Sequence, residues 1–431
     1  MKTCSIPAMD LMHFYVASGS RASVITYEVR LKEEADRETM REALADTLQH
    51  FPYFRMRPVI QNNEIRFAEN GETPIVLGDH ELSVSLGEAE VHGYLFALSV
   101  KDKTVRFRVH HGLSDGRGCL VFLKALLYYY YRRTGEQIEN PKGNLRTEQE
   151  NGQIVPYAEK HADFSVKPFG MFSAEGEKNI FYRPEKTLPD PSAGAVFEIS
   201  CPIRQILEIA KRSDTTPVPV MNVLISQAYR NVYGLDDQLI CGGTAVDNRV
   251  IFKDDAINNA ATSLMLPYFP RMADMDFSLQ VTALRARLEL EIQPENMITG
   301  LNAMVNMVKS FTSVPMPVTA ASALISSKIA AAKNGRTFQT SYVGAVRLPE
   351  EIQKHVDGIT VLYSPFCIPT YIMAIENDGI LRFVFTQNCE SDVLVREFYR
   401  LLKDRIPETV FTDKGIRKFD GFYLEHMETV S

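Results

Sequence analysis

The sequence contains no apolar run approaching the roughly 20 residues that cross a bilayer. The longest, Cys119 to Tyr131, is broken by Lys124, so no membrane span is expected. A secretion signal is missing as well, because Asp10 and His13 interrupt the N-terminal apolar stretch before it reaches signal-peptide length. Cysteine is sparse and scattered. Cys4, Cys119, Cys201, Cys241, Cys367 and Cys389 include no CxxC pair, so neither a disulfide framework nor a zinc module is suggested. These absences predict a soluble, cytoplasmic protein in a reducing compartment. The net charge of -7 gives no global electrostatic reason to bind nucleic acid or an anionic membrane, although a local basic patch can still meet a phosphate-bearing cofactor. Glycine and proline are near average usage, which excludes collagen-like and disordered architectures.

What is present is ordinary globular composition, 45% hydrophobic and 23% charged, in a chain of 431 residues. That length exceeds what one hydrophobic core usually supports and predicts two domains or one duplicated domain. Residues 22 to 31 alternate with Ile25, Tyr27, Val29 and Leu31 on one face, the period of a half-buried strand. Asp36 is a good N-cap for a following helix, in which Met40, Leu44, Thr47, Leu48 and Phe51 recur until Pro52 stops the pattern. Two short strands, Leu95 to Val100 and Thr104 to His110, form a hairpin across Lys101-Asp102-Lys103. Leu120 to Tyr131 reads as a helix apolar on nearly all sides, hence buried.

A polar stretch from Thr134 to about Gly194 marks the crossover between an N-terminal lobe, 1–170, and a C-terminal lobe, 171–431. Beyond it the periodicities predict helices at Ile203 to Arg212, Val220 to Val232, Phe277 to Leu290, Leu301 to Val308 and Ala320 to Ala332. Strands are predicted at 238–246, 338–346, 359–364 and 370–376. The segment from Tyr371 to Thr386 is a second hairpin leading into a helix at Val393 to Leu402. Laid over the first hairpin, it places Gln387 opposite His111, as two related halves or two unrelated units of a common type would.

The chemistry concentrates in His110-His111-Gly112-Leu113-Ser114-Asp115-Gly116. Alternation along the preceding strand puts Val105, Phe107 and Val109 on one face and Arg106 and Arg108 on the other. Continued, it sends His110 out with the arginines and His111 into a dry region, where a neutral imidazole is available as a base. Such a base takes a proton from a hydroxyl or amine as it attacks a carbonyl, worth about 10² to 10⁴ in rate. Asp115 is the carboxylate at hand; it either orients the ring, or pairs with an arginine and braces the loop, or merely caps the next helix. A metal site is disfavoured, since adjacent strand histidines face opposite sides and no third ligand spacing stands out. The pattern HHxxxDG arises by chance on the order of once in a thousand sequences of this length, so it is specific where a bare HxxxD is not.

That pattern resembles the superfamily of chloramphenicol acetyltransferase, the alcohol acetyltransferases and the condensation domains of peptide synthetases. Phe51-Pro52-Tyr53-Phe54-Arg55, Asp247-Asn248-Arg249 and Ser341-Tyr342-Val343-Gly344 extend the resemblance along the chain. The plant branch is not matched, because its DFGWG motif needs a tryptophan and the sequence has none. The resemblance implies an α/β fold of two chloramphenicol-acetyltransferase-like lobes, each a mixed sheet flanked by helices, with an active-site tunnel between them. It implies acyl transfer from a thioester, acyl-CoA or the phosphopantetheine of an acyl carrier protein, to an alcohol or amine. His111 is then the base and Asp115 mainly structural, with His110 and Gly116 in support. Arg249 is the arginine that pairs with Asp115, with Arg55 as a second candidate. Ser341 or Thr340 is the possible oxyanion donor, although Tyr342 stands where asparagine is common. No permanent cofactor is implied and a monomer is expected; a non-catalytic binding protein on the same fold is the alternative of a different class.

Overall fold

The computed structural model describes residues 2–17, 22–78, 84–138, 145–149, 154–174, 177–313, 315–331, 335–365, 367–419 and 421–430. Parts of the predicted crossover, 139–144, 150–153 and 175–176, and Ala332 at the end of a predicted helix, lie outside the described residues. The chain opens with β1 (Thr3–Ser5), α1 (Ala8–Val16), β2 (Val24–Leu31), α2 (Arg37–His50), β3 (Met56–Gln61), β4 (Glu64–Glu69) and β5 (Val76–Leu77). Then come β6 (Phe96–Lys101), β7 (Thr104–His110), α3 (Gly116–Arg133), α4 (Tyr157–His161), β8 (Ala193–Pro202), α5 (Ile203–Arg212), α6 (Pro217–Tyr233), β9 (Ile240–Asp247), α7 (Asn248–Phe252) and β10 (Ala261–Tyr268). It continues through α8 (Phe277–Glu291), α9 (Pro294–Thr312), α10 (Val318–Ala331), β11 (Phe338–Val346), α11 (Glu350–Gln353) and β12 (Val356–Tyr363). It closes with β13 (Thr370–Asn377), β14 (Ile380–Gln387), α12 (Val393–Lys403), β15 (Val410–Lys418) and β16 (Thr429–Val430).

The predicted opening, strand then helix, is incomplete, because β1 and α1 precede it. Elements with strong local signals stand where the sequence puts them. Asp36 caps α2 by accepting from the Thr39 N–H at 2.7 Å, and the hairpin turns at Asp102, whose φ of 48° opens the left-handed region a two-residue turn needs. The α3 helix is buried along most of its length, with Phe122, Leu123, Leu126 and Leu127 fully covered. Its tyrosines pack rather than offer a stacking surface: Tyr128, Tyr130 and Tyr131 are buried, and the Tyr130 hydroxyl accepts from the Asp36 N–H at 3.1 Å.

Five strands of one mixed sheet repeat those of another, the larger sheet adding two more at one edge. The first runs β12-β2-β7-β6-β5, the second β10-β9-β11-β13-β14-β8-β15. In each, an outer strand pairs antiparallel with the strand that precedes a helix (β12 with β2, β15 with β8). That strand pairs antiparallel with the second strand of a hairpin, β7 or β14. The hairpin's first strand then pairs parallel with a further strand, β5 or β11. His111 and Gln387 fall at matching strand ends. The cut at 170/171 does not follow the sheets, since β12 crosses from the C-terminal half to complete the N-terminal sheet against β2. A single antiparallel edge strand buries its apolar residues as readily in either sheet, and Ile359 and Val361 are fully buried in the N-terminal core.

One core surrounds the first sheet and takes in Tyr371, Met373 and Ile375 of β13, while a second lies within the other lobe. Between them lies a smaller apolar layer in which Val24 and Leu362 of the first sheet meet Val196 and Val384 of the second. Among the described residues no helix is long and apolar enough to cross a membrane.

Candidate active site

β7 ends at His110, whose expected placement with the arginines does not bring it to solvent. His110 is fully buried. Its ring stacks on Phe14 at 4.9 Å and tilts against Phe422 at 5.2 Å, and its Nδ1 accepts from the Gly112 N–H at 3.1 Å. Burial, with His111 close by, pushes its pKa down to about 3. The reason is that the arginine face of β7 is not a solvent face: Arg106 pairs with Glu28 at 2.7 Å and Arg108 reaches the Val84 carbonyl at 3.1 Å.

His111 is the more accessible of the two. Its backbone is held at both ends, the N–H donating to the Ser23 carbonyl at 2.7 Å and the carbonyl accepting from Asn259 Nδ2 at 2.6 Å. Its ring lies parallel to that of His13, centroids 4.0 Å apart, and edge-on to Tyr363 at 5.5 Å. Nδ1 is sealed from solvent and has no hydrogen-bond partner among the described residues, while Nε2 is not sealed. Burial holds the imidazole below its ordinary pKa, opposed by the Asp115 charge and by the carbonyl and Asn259 contacts. The ring is therefore neutral at pH 7, with one nitrogen turned inward and the other open.

Asp115 does not orient that ring, because both its oxygens are committed elsewhere. Oδ1 accepts from the Gly118 N–H at 3.0 Å, the N-cap bond of α3, and Oδ2 from the Ala260 N–H at 2.9 Å. Arg249 Nη2 lies 2.9 Å from Oδ2 and 3.1 Å from Oδ1, and its positive charge helps hold the carboxyl below the usual range against burial. The remaining guanidinium hydrogens go to the Ala256 and Asn258 carbonyls and to Asp247. Arg55, the second candidate, sits elsewhere, 3.9 Å from Glu69.

Sequence reasoning missed the segment that Arg249 anchors. Ser114 donates to the Ile257 carbonyl at 2.5 Å. Asn258 Nδ2 donates to Asp10 at 2.9 Å, and the Asn259 backbone and side chain both donate to Asp10, at 3.0 and 2.8 Å. Burial pushes the Asp10 carboxyl up to about 7 against these three donors. Asp10, His13, Asn258 and Asn259 are thus brought to the motif from two distant parts of the chain. An Asn-Asn pair and an acidic residue in a short apolar helix carry no local signal of this.

Of the oxyanion candidates, Thr340 is corrected. Its hydroxyl is buried in the C-terminal sheet, 3.0 Å from the Gly243 carbonyl and 2.9 Å from Thr244 Oγ1, on the covered face of this central strand. Ser341 is only partly buried, on the opposite side of β11 from Thr340. Gly116 accepts from the Tyr27 hydroxyl at 2.5 Å, and a β-carbon there would lie 3.6 Å from Val343 of β11, so the motif loop abuts the second lobe.

Gly118 has no room for a side chain: a β-carbon would lie 1.9 Å from the Ile257 carbonyl oxygen and 2.2 Å from Ser114 Oγ. Gly118→Ala is expected to cost about 3 kcal/mol in urea unfolding. Gly300→Ala, in α9 with nothing within 4 Å, is expected to be neutral or stabilising.

No protein-family model matches the sequence, and no curated protein matches it. Solved structures do match. A trichothecene 15-O-acetyltransferase from Fusarium sporotrichioides aligns over 94% of this chain and 95% of its own, with TM-score 0.60 and 13% identity. The TRI101 protein of the same fungus, solved with coenzyme A and T-2, aligns over 93% and 98%, with TM-score 0.57 and 11% identity. The starter condensation domain of rhizomide synthetase aligns over the full length of both chains, with TM-score 0.54 and 12% identity. The fold is that of the condensation domains and the trichothecene acetyltransferases. It has the two-lobed α/β architecture that the HHxxxDG resemblance implies.

Proposed function

We propose that this chain is an acyltransferase in which His111 Nε2 removes the proton from a hydroxyl or amine as it attacks a thioester carbonyl. The observation that carries the reading is the state of one ring. His111 is neutral and fixed through both its backbone N–H and its carbonyl, with Nδ1 sealed inside and Nε2 not sealed, in a motif loop that abuts the second lobe. As the acceptor oxygen or nitrogen bonds to the acyl carbon, its proton passes to Nε2. Collapse of the tetrahedral intermediate expels the thiolate, which recovers that proton as the free thiol. No acyl-enzyme is needed. Asp115 and Arg249 act as positioning residues, since their hydrogen bonds are spent on the loop and not on the ring. Ser341 is the remaining oxyanion candidate.

The donor we favour is acyl-CoA, bound as a co-substrate in a tunnel between the lobes, with a small-molecule acceptor entering from the other side. A neighbour solved with coenzyme A supports this donor; a condensation-domain neighbour supports a carrier-borne phosphopantetheine thioester as the second reading. The test is thiol release from a panel of acyl-CoAs, with and without alcohols and amines, run beside His111→Ala. Release that depends on an added acceptor and on His111 supports transfer; release without an acceptor means thioester hydrolysis instead. Activity confined to carrier-bound donors moves the reading to condensation.

The pH dependence is set by the direction of the His111 shift. Only the unprotonated ring is a base, and burial lowers its pKa, so the acid limb of kcat/KM is expected below the ordinary histidine value of about 6.5. A limb at or above that value would mean that a solvated histidine is the base.

A further inference from the structure

α1 presents Asp10, His13 and Phe14 to the motif at positions i, i+3 and i+4, one face of a helix. Asp10 holds Asn259, which holds the His111 carbonyl. Phe14 stacks on His110. His13 meets the base itself, its ring 4.0 Å from that of His111 and 9° from parallel. His13 is in turn fixed, since its Nδ1 lies 3.1 Å from Ser23 Oγ, and Ser23 Oγ lies 2.6 Å from the Tyr363 hydroxyl. Tyr363 also puts its ring edge-on to His111. His13 covers one face of the imidazole and the Tyr363 ring stands perpendicular to it, and one hydrogen-bonded chain through Ser23 joins the two.

We infer that His13 is a positioning residue for the base: its ring covers one face of the His111 imidazole, keeps water from that face and holds its plane, so that Nε2 stays open in one tautomer. The inference rests on His111 being the base of the proposed reaction. A purely space-filling residue would need no polar ring, whereas this one is oriented through a buried serine whose carbonyl also accepts the His111 N–H. Titratable groups approach the pair from every side: His110 from β7, Asp115 from the start of α3, Asp10 from α1 and Tyr363 from β12. Asp115 is ionised at neutral pH and is paired with Arg249, and Asp10, raised to about 7 by burial, titrates near neutrality. Two imidazoles at this separation in a dry site do not both carry a positive charge, in keeping with His13 lying well below its ordinary pKa through burial and the nearness of His111 and His110.

The experiment is a ¹⁵N-histidine NMR titration of the full chain, with the His111 resonances assigned by their loss in His111→Gln. In the natural protein His111 is expected to stay neutral below pH 6.5 with Nδ1 protonated. His13→Ala is expected to raise its midpoint by about one pH unit and to mix the tautomers, because one face becomes wet. His13→Gln, which can still reach Ser23 but cannot cover a ring, is expected to do the same and serves if the alanine variant does not fold. His13→Phe restores the cover and is expected to keep the natural midpoint. The inference is overturned if the alanine and glutamine variants titrate as the natural protein does, or if the phenylalanine variant shifts as far as they do. No substrate enters this measurement, so it fails or stands separately from the acyl-transfer reading, which thiol release tests.

Discussion

Replacing His111 with alanine is expected to lower turnover by about 10²- to 10⁴-fold while leaving KM for the donor and the circular dichroism nearly unchanged. The size comes from the job assigned to the ring, which is to take a proton in the transition state and to do little in the ground state. The fold is expected to persist because the contacts that hold the loop are made by the His111 backbone, which alanine keeps. His111→Gln should fare no better. Glutamine already stands at the matching strand end of the second lobe, where Gln387 accepts from Arg183 at 2.9 Å and donates to the Cys389 and Ser391 carbonyls. That amide braces a turn and cannot accept a proton at neutral pH. His110→Ala should show the opposite profile, a fall in stability from an emptied aromatic nest and a secondary loss of turnover. If His111→Ala keeps more than about a tenth of the natural kcat, the base lies elsewhere, and a binding protein that has kept the fold becomes the better reading.

The contrast between the two histidines shows where the sequence could be read and where it could not. Elements whose signal is local were legible: the Asp36 cap, the period of two in β2, the turn at Asp102 and the apolar run of α3. So was the identity of the motif, because seven consecutive residues carry it. The orientation of its side chains was not legible, since a period of two says which residues share a face and not what covers that face. Alternation places His110 with Arg106 and Arg108, away from the dry side, but Phe14 and Phe422, from distant parts of the chain, bury it. The strand pattern of β11 offers Thr340 and Ser341 alike, because it cannot say that the Thr340 face is the covered one. Asp10 and Asn259, 249 positions apart, show the same limit for polar groups, since neither type nor spacing links them. β12 illustrates it for the backbone: its own pattern made it a strand, but only long-range pairing placed it in the first sheet.

Removing Arg249 is expected to be strongly destabilising, about 3 to 5 kcal/mol by urea unfolding, because it strands a buried carboxylate. Arg249 and Asp115 are 7% and 2% exposed, so neither finds water when its partner is lost. The guanidinium spreads its donors over two carboxylates and two backbone carbonyls, so Arg249→Lys, a single ammonium, should recover little of the loss. Asp115→Ala should cost a similar amount and also removes the cap of α3. The double variant should lose clearly less than the sum of the two, because the second change removes the charge that the first left unpaired. Activity should fall with stability in Arg249→Ala for a stated reason. The Ala256 and Asn258 carbonyls come free, the segment that carries Asn259 loosens, and the His111 carbonyl loses the donor that fixes it. A loss below about 1 kcal/mol with full activity would mean that the pair is peripheral and that the loop is held by Asp10 and the two asparagines alone.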